Sequence, residues 1–165
     1  MSEHLATVQW QRQQAQFIDN CYSREHTWQF DGGLTVAASA SPQVVPAAYT
    51  NAACVDPEEA FVASLASCHM LWFLAIAAQH QFVVDTYCDR ASGKLAKDAA
   101  GHLAITQVRL RPQITFAGEA QPSAQQIAQM HEAAHHRCFL ANSVKAKIVI
   151  DTAAPKAASP PGSDC

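Results

Sequence analysis

Apolar and polar residues change their period several times along the chain, and each change predicts an element. From His4 to Trp10 the larger groups fall on alternate positions (Ala6, Val8, Trp10), the period of a half-buried strand. Gln11 to Gln16 breaks that period and reads as a loop or a short helix. Alternation resumes over Tyr22 to Phe30, with Arg24, His26 and Trp28 on one face and Ser23, Glu25 and Thr27 on the other. Asp31-Gly32-Gly33 can take the positive φ of a tight turn, so Leu34 to Ala40 should return as the second strand of a hairpin. Ser41 to Val55 keeps no period and holds Pro42, Pro46, Tyr49 and Asn51, which predicts a long surface loop.

Asp56-Pro57-Glu58-Glu59 is a helix start: Asp caps, Pro sits at the first helical position, and two carboxylates meet the positive end of the dipole. The following stretch, Ala60 to Gln79, is apolar nearly all round and predicts a central buried helix. Phe82 to Ala91 and Leu103 to Phe116 read as strands joined around Asp98-Ala99-Ala100-Gly101, with Pro112 placing the second at an edge or a bulge. Pro122-Ser123 should begin a second helix running to about Arg137, with Ile127, Met130 and Ala134 on one face. Val144 to Ile150 alternates again as a last strand. The order of elements predicts one α+β domain over residues 1–151. Ala, Pro, Ser and Gly dominate from Thr152 to Cys165, a tail expected to be disordered. One small sheet covers only one face of the central helix, so a second copy of the chain is expected on the rest: a homodimer.

Composition narrows the function. A chain of 165 residues, 49% hydrophobic and 15% charged, can bury roughly 70% of its unfolded surface without metal or disulfide staples. Its 11 Lys+Arg against 14 Asp+Glu give a formal charge of -3 with no basic cluster, which argues against nucleic acid and anionic membranes as partners. The longest apolar run, Ala60 to Ala78, is interrupted by Ser64, Ser67, Cys68 and His69. A membrane span wants about 20 uninterrupted apolar residues, so a core helix is expected instead. Met1-Ser2-Glu3-His4 lacks the basic and apolar regions of a signal peptide, and a cytoplasmic location is the expectation.

Two constellations carry chemistry. Cys21, Cys54, Cys68, Cys88, Cys138 and Cys165 form no CxxC pair, and each taken alone is most simply a small buried hydrophobe. A reactive thiol with a second poised to form a disulfide is the minimal apparatus for reducing a peroxide. Cys68, inside the apolar run, and Cys138, closing the second helix, are one of several pairs that six cysteines allow. The second constellation is His131-Glu132-Ala133-Ala134-His135, the HExxH pattern of zinc metalloproteases. It lacks an HxxGxxH continuation or a downstream Glu as third ligand, and an exposed polar helix face explains it as well.

The residues resemble the OsmC/Ohr organic hydroperoxide reductases. The resemblance runs through Asp56-Pro57-Glu58-Glu59-Ala60-Phe61-Val62-Ala63-Ser64-Leu65-Ala66-Ser67-Cys68, the hairpin Phe30-Asp31-Gly32-Gly33-Leu34-Thr35-Val36, and the late helix ending in Cys138 with Asn142 beyond it. It covers about Ala6 to Ile150. His69 follows Cys68 where many members carry an aromatic residue, and Cys138 is followed by Phe139-Leu140 instead of Pro, so the chain resembles a divergent branch.

The resemblance implies an intertwined dimer with a pair of long helices at its centre. It implies Cys68 as the thiol that attacks peroxide, Cys138 as the resolving thiol, Glu58 as an active-site glutamate, and an Arg beside the thiolate. Arg24 is the best match for that Arg and Arg12 the reserve. Cys68 lies too far into its helix for the dipole to activate it, so a cation is needed. His26 and Trp28 share the strand face of Arg24 and are expected to line the pocket with it. If Glu58 and Cys68 share one helix, ten residues separate them by about 15 Å, too far for contact. Glu58 is then expected either to orient Arg24 from a distance or, the favoured expectation, to act at the partner's site. Phe61, Leu65, Leu71 and Trp72 are the expected apolar lining, favouring organic hydroperoxides as substrate. No nucleotide fingerprint is present, no cofactor is expected, and an external dithiol, by the resemblance a lipoyl dithiol, would supply electrons. The competing expectation is a redox sensor or binding module with the same cysteine pair and no turnover.

Overall fold

The structure, a computed structural model, describes residues 1–13 and 16–152. Apart from Thr152, the expected tail lies outside the described residues, as does part of the stretch from Gln11 to Gln16. The chain forms two compact units, Met1–Ala60 and a second from Phe61 onward.

The first unit is an antiparallel meander of β1 (Ala6–Gln9), β2 (His26–Phe30) and β3 (Thr35–Ala38). The register sets Trp28 against Val8 on one side and Val36 on the other. Gly33, at φ 86°, closes the expected hairpin, with its N–H donating to Phe30 O at 2.9 Å. The expected loop over Ser41–Val55 contains one 3-10 turn at Ala47–Tyr49 and returns to the sheet through a parallel bridge from Val55 to Ala38. Buried Ser39 anchors it by accepting the Asn51 N–H at 3.0 Å. Helix α1 (Pro57–Gln79) then starts on a reciprocal cap: Asp56 Oδ1 accepts the Glu59 N–H at 2.7 Å and Glu59 Oε2 accepts that of Asp56 at 3.4 Å.

The second unit holds two sheets. Strand β4 (Val83–Asp89) pairs antiparallel with β7 (Pro112–Ala117). Strands β5 (Ser92–Lys97), β6 (Leu103–Leu110) and β8 (Lys147–Ile150) lie in that order, with β8 parallel to β6. Two helices complete it, α2 (Ala124–Arg137), with Ser123 in a full capping box, and the short α3 (Phe139–Ser143). Helix α1 feeds two cores. Phe73, Ile76 and Ala77 pack with Ile114 of β7 and with Ile127, Met130 and Ala134 of α2. Leu65 packs with Val108 and Leu110 of β6.

The α+β class holds, and two local expectations are corrected. The strand expected to run unbroken from Leu103 to Phe116 divides at Arg111, because Pro112 cannot donate to a ladder and instead opens β7 in a different sheet. The turn at Asp98–Gly101 joins β6 to β5, a strand not expected: Ser92–Lys97 lies mostly in solvent and carries no apolar alternation. Within one chain helix α1 buries one face, as the expectation of a second copy on the rest requires. Its buried residues are Leu65, His69, Phe73, Ile76 and Ala77, while Ala63, Ser64, Ser67, Leu71, Ala75 and Ala78 are exposed along another face. An 18-residue window of α1 has mean hydropathy 1.9, apolar enough to cross a membrane by composition alone, and only 33% of it is buried.

Candidate active site

Cys68 and Cys138 meet in the second unit. Cys68 sits half-buried on α1, and Cys138, 1% exposed, is at once the C-cap of α2 and the N-cap of α3. Burial first, and then a hydrogen bond in which its thiol donates to Cys68, push the Cys138 thiol up to about 11. The Ala141 N–H, donating to Cys138 Sγ at 3.4 Å, opposes this, but burial outweighs it. Cys138 therefore keeps its proton at neutral pH, and Cys68 is the sulfur that accepts the bond.

The four residues expected as apolar lining divide between surface and core. Leu71 is 62% exposed and Trp72 half-buried, whereas Leu65 and Phe61 belong to the core with β6. The position the sequence reading missed is Phe139, 68% exposed, which meets Trp72 edge-on at 5.7 Å. Arg137 was missed too: its guanidinium lies over the Trp72 ring at 5.7 Å, one residue before Cys138. The signal available for both was only adjacency to Cys138.

Arg24 and Glu58 belong to the first unit. Arg24 donates to Asn20 O at 2.9 Å, to Asn20 Oδ1 at 2.6 Å and to Tyr22 O, and its guanidinium lies 3.7 Å from the Tyr22 ring centroid. Below it, the Trp28 indole donates to His26 Nε2 at 3.0 Å, which leaves His26 Nδ1–H to donate to Arg24 O at 2.8 Å. Glu58 Oε2 is buried with no hydrogen-bond partner, and among the described residues no ion pair joins Glu58 to Arg24.

The HExxH helix does not present its histidines as a chelating face. His131 is 3% exposed, its Nδ1 lies 3.0 Å from His69 Nε2 on α1, and its ring packs on Phe73 at 4.4 Å. Burial lowers the pKa of His131 to about 4, and burial together with the neighbouring His131 and His135 lowers that of His69 to about 3. Both imidazoles are neutral at physiological pH. Among the described residues no three His, Cys, Asp or Glu side chains are placed to hold a metal ion.

Residues 50–153 match the OsmC family, described as OsmC-like protein. An OsmC-like protein of unknown function from Vibrio cholerae is 53% identical, with a TM-score of 0.90 over 92% of this chain and 99% of that one. Organic hydroperoxide resistance proteins of Elizabethkingia anophelis and Bacillus subtilis share the fold at 16% and 18% identity, with TM-scores of 0.67 and 0.63. They cover 91% of this chain in each case, and 93% and 98% of their own. No curated protein matches the chain significantly. The family match over more than half the chain and the 53% identity carry the same conclusion: this chain belongs to the OsmC/Ohr family.

Proposed function

We propose that the protein is a thiol-dependent peroxidase that reduces organic hydroperoxides to alcohols. The observation that carries this reading is the paired thiols: a protonated, buried Cys138 held by a hydrogen bond to a more accessible Cys68. The two cysteines then have separate tasks. Cys68, as thiolate, attacks the distal oxygen of ROOH; the O–O bond breaks, the alkoxide takes up a proton and leaves as ROH, and Cys68 becomes a sulfenic acid. Cys138 attacks that sulfur; an S–S bond forms as the S–O bond breaks, and the Cys138 proton leaves with the hydroxide as water. An external dithiol, of the lipoyl kind the family resemblance implies, restores both thiols by exchange. The apolar Trp72–Phe139 pair, four residues after Cys68 and one after Cys138, supports an alkyl-bearing peroxide over H2O2, since each buried CH2 gains roughly 0.8 kcal/mol.

Glu58 and Arg24 complete this reading at the scale of a homodimer. The unpartnered buried oxygen of Glu58 suits a cation from elsewhere, and we assign it to a site built from both subunits. Arg24 is the cation the resemblance implies beside the Cys68 thiolate.

The test is the intact mass before and after one equivalent of cumene hydroperoxide, with peptide mapping. The expected product is a Cys68–Cys138 disulfide, absent in Cys68→Ser and replaced in Cys138→Ser by a sulfenic acid that dimedone traps. Turnover with excess peroxide and dihydrolipoamide is the second arm. One equivalent consumed and then silence identifies a redox sensor, and an unreacted Cys68 in folded protein ends the peroxidase reading.

A further inference from the structure

The peroxidase chemistry uses the cysteine pair and leaves a second buried polar pair between the same two helices without a role. His69 follows Cys68 on α1; His131 lies two turns before Cys138 on the buried face of α2, with Ala134 between them on that face. The two imidazoles are 2% and 3% exposed and share one hydrogen bond of 3.0 Å. Their planes differ by 8° with centroids 5.3 Å apart, the separation of two rings meeting edge to edge with the N···N bond in line between them.

The environment assigns the proton. His69 Nδ1 is buried without a partner, and an orphaned buried N–H is costlier than an orphaned lone pair. Nδ1 is therefore bare, Nε2 carries the hydrogen, and His69 donates to His131 Nδ1. Beside the thiol contact of Cys68 with Cys138 at the end of α2, this hydrogen bond ties the body of α2 to α1.

Two imidazoles inside an apolar interface carry a desolvation cost that a Phe–Leu pair of similar volume would not. What they add is direction. A hydrogen bond weakens steeply with distance and angle, whereas an apolar contact slides with little change. This bond lies one residue from Cys68 on α1, and its other end is on the helix that delivers Cys138.

We propose that the His69–His131 hydrogen bond is a positioning device for the thiol pair, locking α2 against α1 so that the Cys138 sulfur is held at Cys68. Neither histidine touches the reacting atoms, so both are positioning residues. The step they serve is closure of the disulfide. Its importance for turnover rests on the peroxidase reading, but the alignment itself is measurable without peroxide.

The effective concentration of Cys138 at Cys68 is read from the thiol–disulfide equilibrium of the full chain in glutathione buffers. Three proteins are compared with native: the doubly apolar His69→Phe/His131→Leu, and the single isosteres His69→Gln and His131→Asn. The amides of the last two place Nε2 and Oδ1 where the imidazoles have Nε2 and Nδ1. The double variant is expected to lose on the order of tenfold or more in effective concentration, since a 1 Å misplacement of reacting groups costs on the order of 10²-fold. The isosteres are expected to stay near native.

With one equivalent of cumene hydroperoxide, the double variant should form the Cys68 sulfenic acid at the native rate and close the disulfide more slowly by the same factor. A folded double variant with native effective concentration overturns the proposal. A second measurement needs no variant: coupling is reciprocal, so closing the disulfide must slow solvent exchange of the His69 Nε2 proton, followed by 15N-resolved NMR, by a comparable factor. Equal exchange in reduced and disulfide forms also overturns it. If native protein fails to react with peroxide but both equilibrium effects appear, the peroxidase reading falls and the positioning role stands.

Discussion

At the scale of single residues, burial decides what each group can do. Sequence showed which residues carried thiols and imidazoles, but not which were closed to solvent. Cys68 and Cys138 are the same chemical group, and only tertiary burial makes Cys138 a thiol that holds its proton to about pH 11. The same holds for His69 and His131, whose pKa values fall to about 3 and about 4 because charging them in the core is costly. That depression has a signed consequence for stability. In the unfolded chain a histidine binds its proton near pH 6.5, whereas in the folded protein these two do so only near pH 3 to 4. The unfolded state therefore takes up more protons as pH falls below 6.5, and stability drops steadily down to about pH 4 for His131 and about pH 3 for His69. The loss should amount to a few kcal/mol, since each tenfold difference in proton affinity between the two states is worth about 1.4 kcal/mol. Urea titrations at pH 7 and pH 4.5 check it: the native protein should lose more stability between them than His69→Phe/His131→Leu. Equal losses in the two proteins would mean that the carboxylates, not this pair, carry the acid sensitivity.

At the scale of elements, local rules located the starts and stops better than the partners. The Asp56 and Ser123 caps stand where side-chain chemistry required them, because capping is settled within four residues. Strand β5 was invisible because its residues Ser92–Lys97 lie on a largely exposed strand, whose only demand is backbone pairing with β6. One of its residues carries a tertiary constraint nonetheless. A Cβ on Gly93 would stand 2.7 Å from Cγ2 of Val62 on α1, and Val, branched at Cβ, has little rotamer freedom with which to retreat. Gly93→Ala should cost about 1–3 kcal/mol of stability, seen as a lower urea midpoint with an unchanged m-value. The double variant Gly93→Ala/Val62→Ala should recover part of that loss, because it removes the clashing methyl.

At the scale of the whole molecule, α1 keeps an exposed face among the described residues. Leu71 is 62% exposed on a face otherwise made of Ala63, Ser64, Ser67, Ala75 and Ala78, small side chains that allow another helix to approach closely. The homodimer is our proposal for what covers that face, and Leu71→Asp is the substitution that challenges it. Native protein should sediment as a dimer, and the variant should shift toward monomer with loss of peroxide consumption at low protein concentration. A native monomer at micromolar concentration would remove both the dimer and the shared site that uses Glu58.

Periodicity, caps and turn chemistry determined the α+β order of elements and the hairpin at Gly33, because these depend on interactions within a few residues. The motif from Asp56 to Cys68 carried the family, since the order of its residue types is itself the signal. What only tertiary structure decided is the environment each group meets: burial of Cys138 beside Cys68, His69 with His131, Phe139 with Trp72, and Pro112 as the opening of a new strand. The physical reason is common to all four. Desolvation, hydrogen-bond direction and packing act between residues brought together by folding, and such pairings leave no periodic trace along the chain.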